Sequence, residues 1–259
     1  MTATRAIVTG AARGLGERVA VRLVSDGLDV ALVDVSPAVR DTAARLIELR
    51  PGARTPAFVG DVSDETFCDQ TVLATVVAFG GVDVLVNCAG IGGPGTPVVE
   101  TTTADFRRVL DVNLVGSFLM ARAVARVLVE RDSGGAIVNI GSIFGQQAVA
   151  GDSGYGASKA GVFMLTQTLA LELAASGVRV NSISPGHMAT EMHFDYLRAL
   201  AREHGVAFED EVEAIRRTIP LGRHGTGEDV AGAVAWLISD DSSYVTGQTI
   251  GVNGGVLFP

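Results

Sequence analysis

Tyr155 and Lys159 stand four residues apart in a stretch, Ser153 to Ser176, whose apolar pattern predicts a helix. Their side chains should therefore emerge on one face, a single turn apart. A phenol titrates near ~10, whereas acid/base work at neutral pH calls for a value nearer ~7. That gap costs roughly 4 kcal/mol, and one cation about 4 Å away at an effective dielectric near 20 supplies about that much. The spacing thus predicts that Lys159 draws the Tyr155 phenol toward neutrality, where it can exchange a proton with an alcohol or ketone oxygen. Ser142, 13 residues upstream of Tyr155, is placed to hydrogen-bond that oxygen and steady the charge developing on it. Taken alone, the same serine would serve as a helix cap.

A second motif begins at Thr9, where the chain reads TGAARGLG through Gly16, with glycines at Gly10, Gly14 and Gly16 and with Arg13 and Leu15 between them. It follows an apolar β-branched run, Arg5 to Thr9, and feeds an amphipathic pattern, Leu15 to Asp26. Glycines between a strand and a helix let the backbone approach a pyrophosphate, while the helix N-terminus offers free N–H groups and a positive dipole end. Asp34 closes the next strand, 18 residues beyond Gly16, where a carboxylate accepts hydrogen bonds from the adenosine ribose and repels a 2′-phosphate. Arg13 could pair with such a phosphate, but Val35 and Ser36 add no second cation. The cofactor expected is NAD, with NADP as the alternative, and the positive ring of the oxidised nicotinamide would further favour a phenolate at Tyr155.

The elements that must position these groups alternate along the whole chain. Strands are predicted at Arg5 to Thr9, Asp29 to Val33, Arg54 to Val59, Val82 to Val86, Ala136 to Ile140, Val178 to Ile183 and Thr249 to Val252. Helices are predicted between them at Leu15 to Asp26, Ala38 to Leu49, Asp64 to Phe79, Thr103 to Arg131, Ser153 to Ser176 and Glu228 to Ser239. Near-continuous apolar strands separated by helices predict an α/β, Rossmann-type doubly wound parallel sheet of about seven strands, a single domain spanning residues 1 to 259. One stretch, His187 to Ile219, fits no strand-helix unit and is expected to be a substrate-covering insertion.

Composition narrows the partners. A net charge of −9 argues against nucleic acid, which is bound through clustered cations. The apolar runs Val82 to Val86 and Ala136 to Ile140 are far short of the ~20 residues a bilayer demands, and the first nine residues lack the organisation of a secretory signal. No membrane partner and a cytoplasmic location are expected. Cys68 and Cys88 form no CxxC pair, and His187, His193, His204 and His224 form no HExxH, so no metal is expected.

Taken in order, these marks resemble the short-chain dehydrogenase/reductase family, in its TGxxxGxG subdivision, over nearly the whole chain. Further matches are Asp61 and Val62 after the third strand, Asn87-Cys88-Ala89-Gly90 after the fourth, Asn113, Ser142, the Tyr155/Lys159 pair, and Pro185 to Thr190 after the sixth. The resemblance implies that Asp61 and Val62 hold the adenine and that Asn87, Ala89 and Gly90 line the cofactor. It further implies that Pro185, Gly186, Met188 and Thr190 hold the nicotinamide end, that Lys159 and Tyr155 also touch the cofactor, and that Asn113 supports a proton relay. Cys88 departs from the family's usual asparagine, which costs a side-chain hydrogen bond at most. The implied activity is hydride transfer between a secondary alcohol, of the sugar-alcohol or small-polyol kind, and its ketone. Alternatives are an NADP-dependent carbonyl or 3-oxoacyl reductase and a non-catalytic dinucleotide-binding regulator. Substrate contacts are expected from Ser142, Ile143, Phe144, Gln146 and Gln147, and from His187, Met192, His193, Phe194 and Tyr196. The long apolar helices Thr103 to Arg131 and Ser153 to Ser176 are expected to pair across a subunit interface, and the resemblance implies a homotetramer, with the tail Gly254 to Pro259 as a further contact.

Overall fold

The computed structural model describes residues 4–258; the first three residues and Pro259, the end of the apolar tail, lie outside the described residues. Among the described residues, strands β1 (Arg5–Thr9), β2 (Asp29–Asp34), β3 (Ala57–Val59), β4 (Val84–Asn87), β5 (Gly135–Ile140), β6 (Val178–Pro185) and β7 (Thr249–Val252) form one parallel sheet. Its order is β3-β2-β1-β4-β5-β6-β7, so the winding reverses between β1 and β4 and opens a crevice beyond their carboxyl ends. The helices are α1 (Gly14–Ser25), α2 (Val39–Leu49), α3 (Glu65–Phe79), α4 (Thr103–Leu110), α5 (Gly116–Arg131), α6 (Ser153–Leu173), α7 (Glu191–His204), α8 (Phe208–Thr218) and α9 (Gly227–Ile238).

The apolar runs become two cores because successive strand side chains point to opposite faces. Ala6, Val8, Val30, Leu32, Val84 and Val86 pack with Leu23 of α1, Leu46 of α2 and Leu237 of α9. Ile7, Ala31, Val33 and Leu85 pack on the other face with Cys68 of α3, Met120 and Val124 of α5 and Leu169 of α6. This is the doubly wound arrangement that near-continuous apolar strands predict.

Three elements differ from the sequence expectation. Strand β3 begins at Ala57 rather than Arg54, because Arg54 turns its guanidinium onto Asp29 (2.6 Å) and Pro56 has no N–H to give the ladder. The helix expected over Thr103 to Arg131 contains a π-turn, Asp111–Val115, between α4 and α5. By length and apolar composition this 29-residue segment could cross a membrane, but 56% of its apolar window is buried in the fold. The segment His187 to Ile219 holds two helices, α7 and α8.

A buried polar chain crosses the sheet beneath the crevice. Asn87 donates to Asn139 Oδ1 (2.9 Å) and to the Ser117 carbonyl (3.1 Å), and Asn139 donates to Thr166 Oγ1 (2.9 Å). Asn87 and Asn139 are register partners on β4 and β5. Substituting Asn139→Ala opens a cavity and strips a buried amide of its acceptor. A loss of about 2 to 3 kcal/mol is expected in urea unfolding, and an unchanged midpoint would contradict a structural role for this chain.

Candidate active site

The glycine loop fills the crevice at the switch point. Gly10 has φ 66°, and a Cβ on it would lie 2.8 Å from the Ala89 nitrogen, while one on Gly16 would lie 2.1 Å from the Gly10 carbonyl oxygen. Thr9 Oγ1 fixes the facing loop by accepting from the Cys88 (3.1 Å) and Ala89 (3.0 Å) amides. Arg13, the N-cap of α1, makes no side-chain cap, so no side chain competes for the first amides of the helix. These features fit a pyrophosphate. Asp34 accepts from the Ala12 amide (3.0 Å) and the Ser36 amide (2.8 Å), which aims its carboxylate along the loop's edge. Arg13 is exposed, and no hydrogen bond or ion pair holds its guanidinium.

The remaining cofactor candidates fall into two sets. Val62 is buried and Asp61 is exposed, its carboxylate accepting from the Ser63 amide (2.9 Å). Leu15 is half-buried in the first turn of α1. A Cβ on Gly90 would stand 3.3 Å from Asn113 Oδ1 and 3.5 Å from Lys159 Nζ, so this backbone lies close against both side chains. The Asn87 side chain belongs to the buried chain under the sheet, leaving its backbone to face the crevice. Past Pro185, the Gly186 amide bonds Val252 (3.0 Å), and Met188 is buried and bridges Gly225. Thr190 Oγ1 caps α7 by accepting from the His193 amide (3.4 Å); its own hydroxyl proton stays free to donate.

Tyr155, Lys159, Ser142 and Asn113 converge on one wall. Ser142 does both of the things its type allows. Its Oγ caps a short 3-10 turn, Ile143–Gly145, by accepting from the Phe144 amide (3.2 Å), and its hydroxyl interacts with the Tyr155 phenol. Lys159 Nζ donates to the Ile140 carbonyl (2.8 Å) and stands 5.6 Å from the centroid of the Tyr155 ring. Asn113 is wholly buried in the π-turn. Its amide accepts from the Ile91 N–H (2.8 Å), donates to the Ile91 carbonyl (3.0 Å) and donates to Ser158 Oγ (3.1 Å). Ser158 in turn donates to the Tyr155 carbonyl (2.7 Å).

The electrostatics correct the sequence expectation about the tyrosine. Within the chain alone, Lys159 does not draw the phenol down: burial pushes Tyr155 above its ordinary value, Ser142 pulls it back, and Asp152 pushes it further up. Burial also lowers Lys159 to about 8. The simple Coulomb balance omitted this desolvation, which disfavours the charged form of both groups.

Asp152 was missed because a residue one turn before Tyr155 looks like a helix N-cap. It is the N-cap of α6, but makes no side-chain cap. Its carboxylate lies across from Gly93, where an added Cβ would come within 2.9 Å of Asp152 Oδ1 and 3.9 Å of Tyr155 Cβ.

Of the expected substrate residues, the structure gathers Phe144, His187, His193, Phe194 and Tyr196. Phe144 stands edge-on to Tyr155 (6.5 Å), His187 (6.2 Å) and Tyr196 (6.5 Å), and His193 lies 5.2 Å from His187 and 6.2 Å from Phe194. Ile143 is buried; Gln146 accepts from Ser184 Oγ (2.7 Å). Gln147 and Met192 are exposed and join none of these ring contacts. His224, absent from the sequence-based set, lies 5.3 Å from His193, and no local motif marks it. His204 instead meets Glu211 (3.0 Å) across α7 and α8.

The Asp152 effect is directly measurable. In a chain whose tyrosines other than Tyr155 are replaced by phenylalanine, Asp152→Asn removes a negative charge that opposes phenolate formation. Tyrosinate absorbance should then rise at lower pH than with Asp152 present; an unchanged or upward midpoint would contradict the assigned electrostatics.

A family profile described as enoyl-(acyl carrier protein) reductase matches residues 10–257. The chain is 36% identical to levodione reductase of Leifsonia aquatica, covering 96% of this chain and 92% of that protein. It is 39% identical to a (3R)-3-hydroxyacyl-CoA dehydrogenase of Rattus norvegicus, covering 97% and 95%. Among solved structures, a variant of actinorhodin polyketide ketoreductase with NADPH superposes with TM-score 0.93 at 35% identity, covering 98% of this chain and 97% of that one. The parallel sheet, the glycine loop at its switch point and the Ser142, Tyr155 and Lys159 wall thus occur in a chain that belongs to the short-chain dehydrogenase/reductase family of oxidoreductases acting on CH–OH groups.

Proposed function

We propose that the chain interconverts a secondary alcohol, of the small-polyol kind, and its ketone with NAD(H). The observation that carries this proposal is the Ser142 hydroxyl on the Tyr155 phenol, beside Lys159, at the mouth of the dinucleotide crevice. In the reductive direction Tyr155 gives its phenolic proton to the substrate oxygen, and in oxidation its phenolate takes that proton back. Ser142 donates a hydrogen bond to the same oxygen as charge grows there. Lys159 steadies the ribose of the cofactor, and Asn113 holds α6 and the loop after β4 in register. A bound nicotinamide dinucleotide would supply the hydride donor or acceptor, and its oxidised ring would add positive charge beside the phenol.

Asp34 supports NAD over NADP, because its carboxylate occupies the edge of the crevice where a 2′-phosphate would fall. Residues Gly10, Arg13, Gly14, Leu15, Gly16, Asp61, Val62, Ala89, Gly90, Pro185, Gly186, Met188 and Thr190 complete the cofactor contacts we assign. Helices α7 and α8 cover the substrate. Exposed apolar side chains on α5 and α6, among them Phe118, Met164 (62% exposed) and Leu171 (84% exposed), are covered by subunit contacts in a homotetramer.

A panel of polyols, secondary alcohols and ketones assayed with both dinucleotides tests the activity. Turnover is expected with NAD(H) at least tenfold above NADP(H), and Tyr155→Phe should retain NADH binding while turnover falls by at least a thousandfold. Near-normal activity in that variant would overturn the assignment of Tyr155. Sedimentation at micromolar concentration should give a tetramer, and a monomer there would refute the assembly.

A further inference from the structure

Three imidazoles from separate segments meet beside Phe144, which also contacts Tyr155. His187 follows β6, His193 lies in the first turn of α7 and His224 precedes α9, with centroids 5.2 Å apart for the first pair and 5.3 Å for the second. Backbone bonds fix this arrangement: the Gly225 amide donates to the His187 carbonyl (2.9 Å) and the Ala189 amide to the Gly225 carbonyl (2.8 Å). His193 Nε2 and His224 Nε2 are both buried and have no hydrogen-bond partner among the described residues. Proteins seldom leave two neighbouring buried polar atoms so. His193 also meets Phe194 and Tyr196, His224 meets Phe194, and Tyr196 and His187 meet Phe144, which contacts Tyr155.

We propose that His193 and His224 form a subsite for a second, uncharged oxygen of the substrate, a hydroxyl or ketone oxygen carried across the molecule from the reacting carbon. The proposal rests on the hydride-transfer activity assigned above. A neutral imidazole offers one N–H donor and one lone pair, so the pair can both give and accept a hydrogen bond. Burial keeps these rings neutral, pushing His193 down to about 3 and lowering His187 and His224 as well. Two cations stand nearby, and both are paired: Arg216 is forked onto Glu213 (2.6 and 2.7 Å) and Arg223 onto both oxygens of Asp229 (2.7 and 2.8 Å), which disfavours a carboxylate or phosphate as the ligand. Among the described residues no group of three or more His, Cys, Asp and Glu could hold a metal ion, so the unmet nitrogens call for an oxygen. Ring contacts run from Tyr155 to Phe144, from Phe144 to His187 and from His187 to His193, which sets the second oxygen apart from the reacting centre. The substrate class is therefore one that carries a second oxygen besides the reacting one.

The experiment compares 4-hydroxycyclohexanone with cyclohexanone, which share a skeleton and differ in the second oxygen. The native enzyme should prefer the hydroxyketone by about tenfold or more in kcat/KM, since a site with unpaired polar groups rejects an analogue that lacks the matching oxygen. His193→Phe and His224→Phe should each erase most of that ratio, whatever they do to the absolute rates. His193→Gln, which keeps a donor and an acceptor, should restore much of it. If the phenylalanine variants fail to fold, the native ratio and the glutamine variant decide. Equal kcat/KM for the two ketones in the native enzyme, or equal losses on both in the variants, would overturn the subsite and leave the hydride-transfer proposal standing. Absence of NADH and NADPH oxidation with every carbonyl offered would overturn both.

Discussion

The site hangs on one buried side chain, Asn113. Its amide satisfies both the N–H and the carbonyl of Ile91 and still reaches Ser158, so three segments that share no sequence proximity are held by a single planar group. The loop after β4 forms the floor of the crevice, and Ser158 in turn fixes the first turn of α6, from which Tyr155 projects. A π-turn is the means by which Asn113 faces inward: one extra residue in the helical ladder rotates the side chains that follow. Gly90 lies close against the same group, since a Cβ on it would stand 3.3 Å from Asn113 Oδ1 and 3.5 Å from Lys159 Nζ. The cost of burying so polar a group is offset only because its hydrogen bonds are met in full.

Burial also governs the charges. Lys159 lies within the chain as a hydrogen-bond donor to Ile140 with its affinity for a proton weakened, and Tyr155 lies as a phenol whose ionisation is resisted. Lys159 at about 8 still carries its proton at neutral pH, while Tyr155 stays a neutral phenol, so the phenol is the resting proton donor. The energy that makes a phenolate accessible must then come from groups that arrive with positive charge, so the phenol ionises most readily when the crevice is filled with the oxidised cofactor. Asp152 acts against this from the substrate side. Desolvation, not the spacing of Tyr155 and Lys159, sets the resting state.

Most of the fold could be read from the sequence because a parallel sheet buried on both faces demands long apolar strands, and a glycine loop between strand and helix has few other uses. The strand β3 was overextended because Arg54 and Thr55 look β-compatible, and only Pro56 hints that the ladder starts later. The π-turn at Asn113 was invisible, since a one-residue shift in a helix leaves the apolar period nearly intact. Asn87, which the resemblance places along the cofactor, also has its side chain taken up by Asn139 and Ser117, a pairing that depends on register between β4 and β5 and so on tertiary structure. Asp152 and His224 were missed for the same reason: one resembles a cap and the other a loop residue until neighbours from elsewhere in the chain surround them.

The segment between β6 and α9 illustrates how the pieces cooperate. Residues 187 to 190 lie between the crevice and α7, and each of them does something different: His187 faces Phe144, Met188 is buried against Gly225, and Thr190 starts α7. At the Met188 bridge the thioether packs directly over Gly225, where a Cβ would come within 2.6 Å of Met188 Sδ and push that side chain aside. That same bridge sets the position of His224, one residue earlier, against His193. Backbone pairing at one point thus aligns a cofactor-side residue, the first turn of α7 and a histidine more than 30 residues away in sequence. A substrate pocket built in this way takes its shape from the rigid carboxyl end of β6, and its chemistry from side chains that the strand itself does not carry.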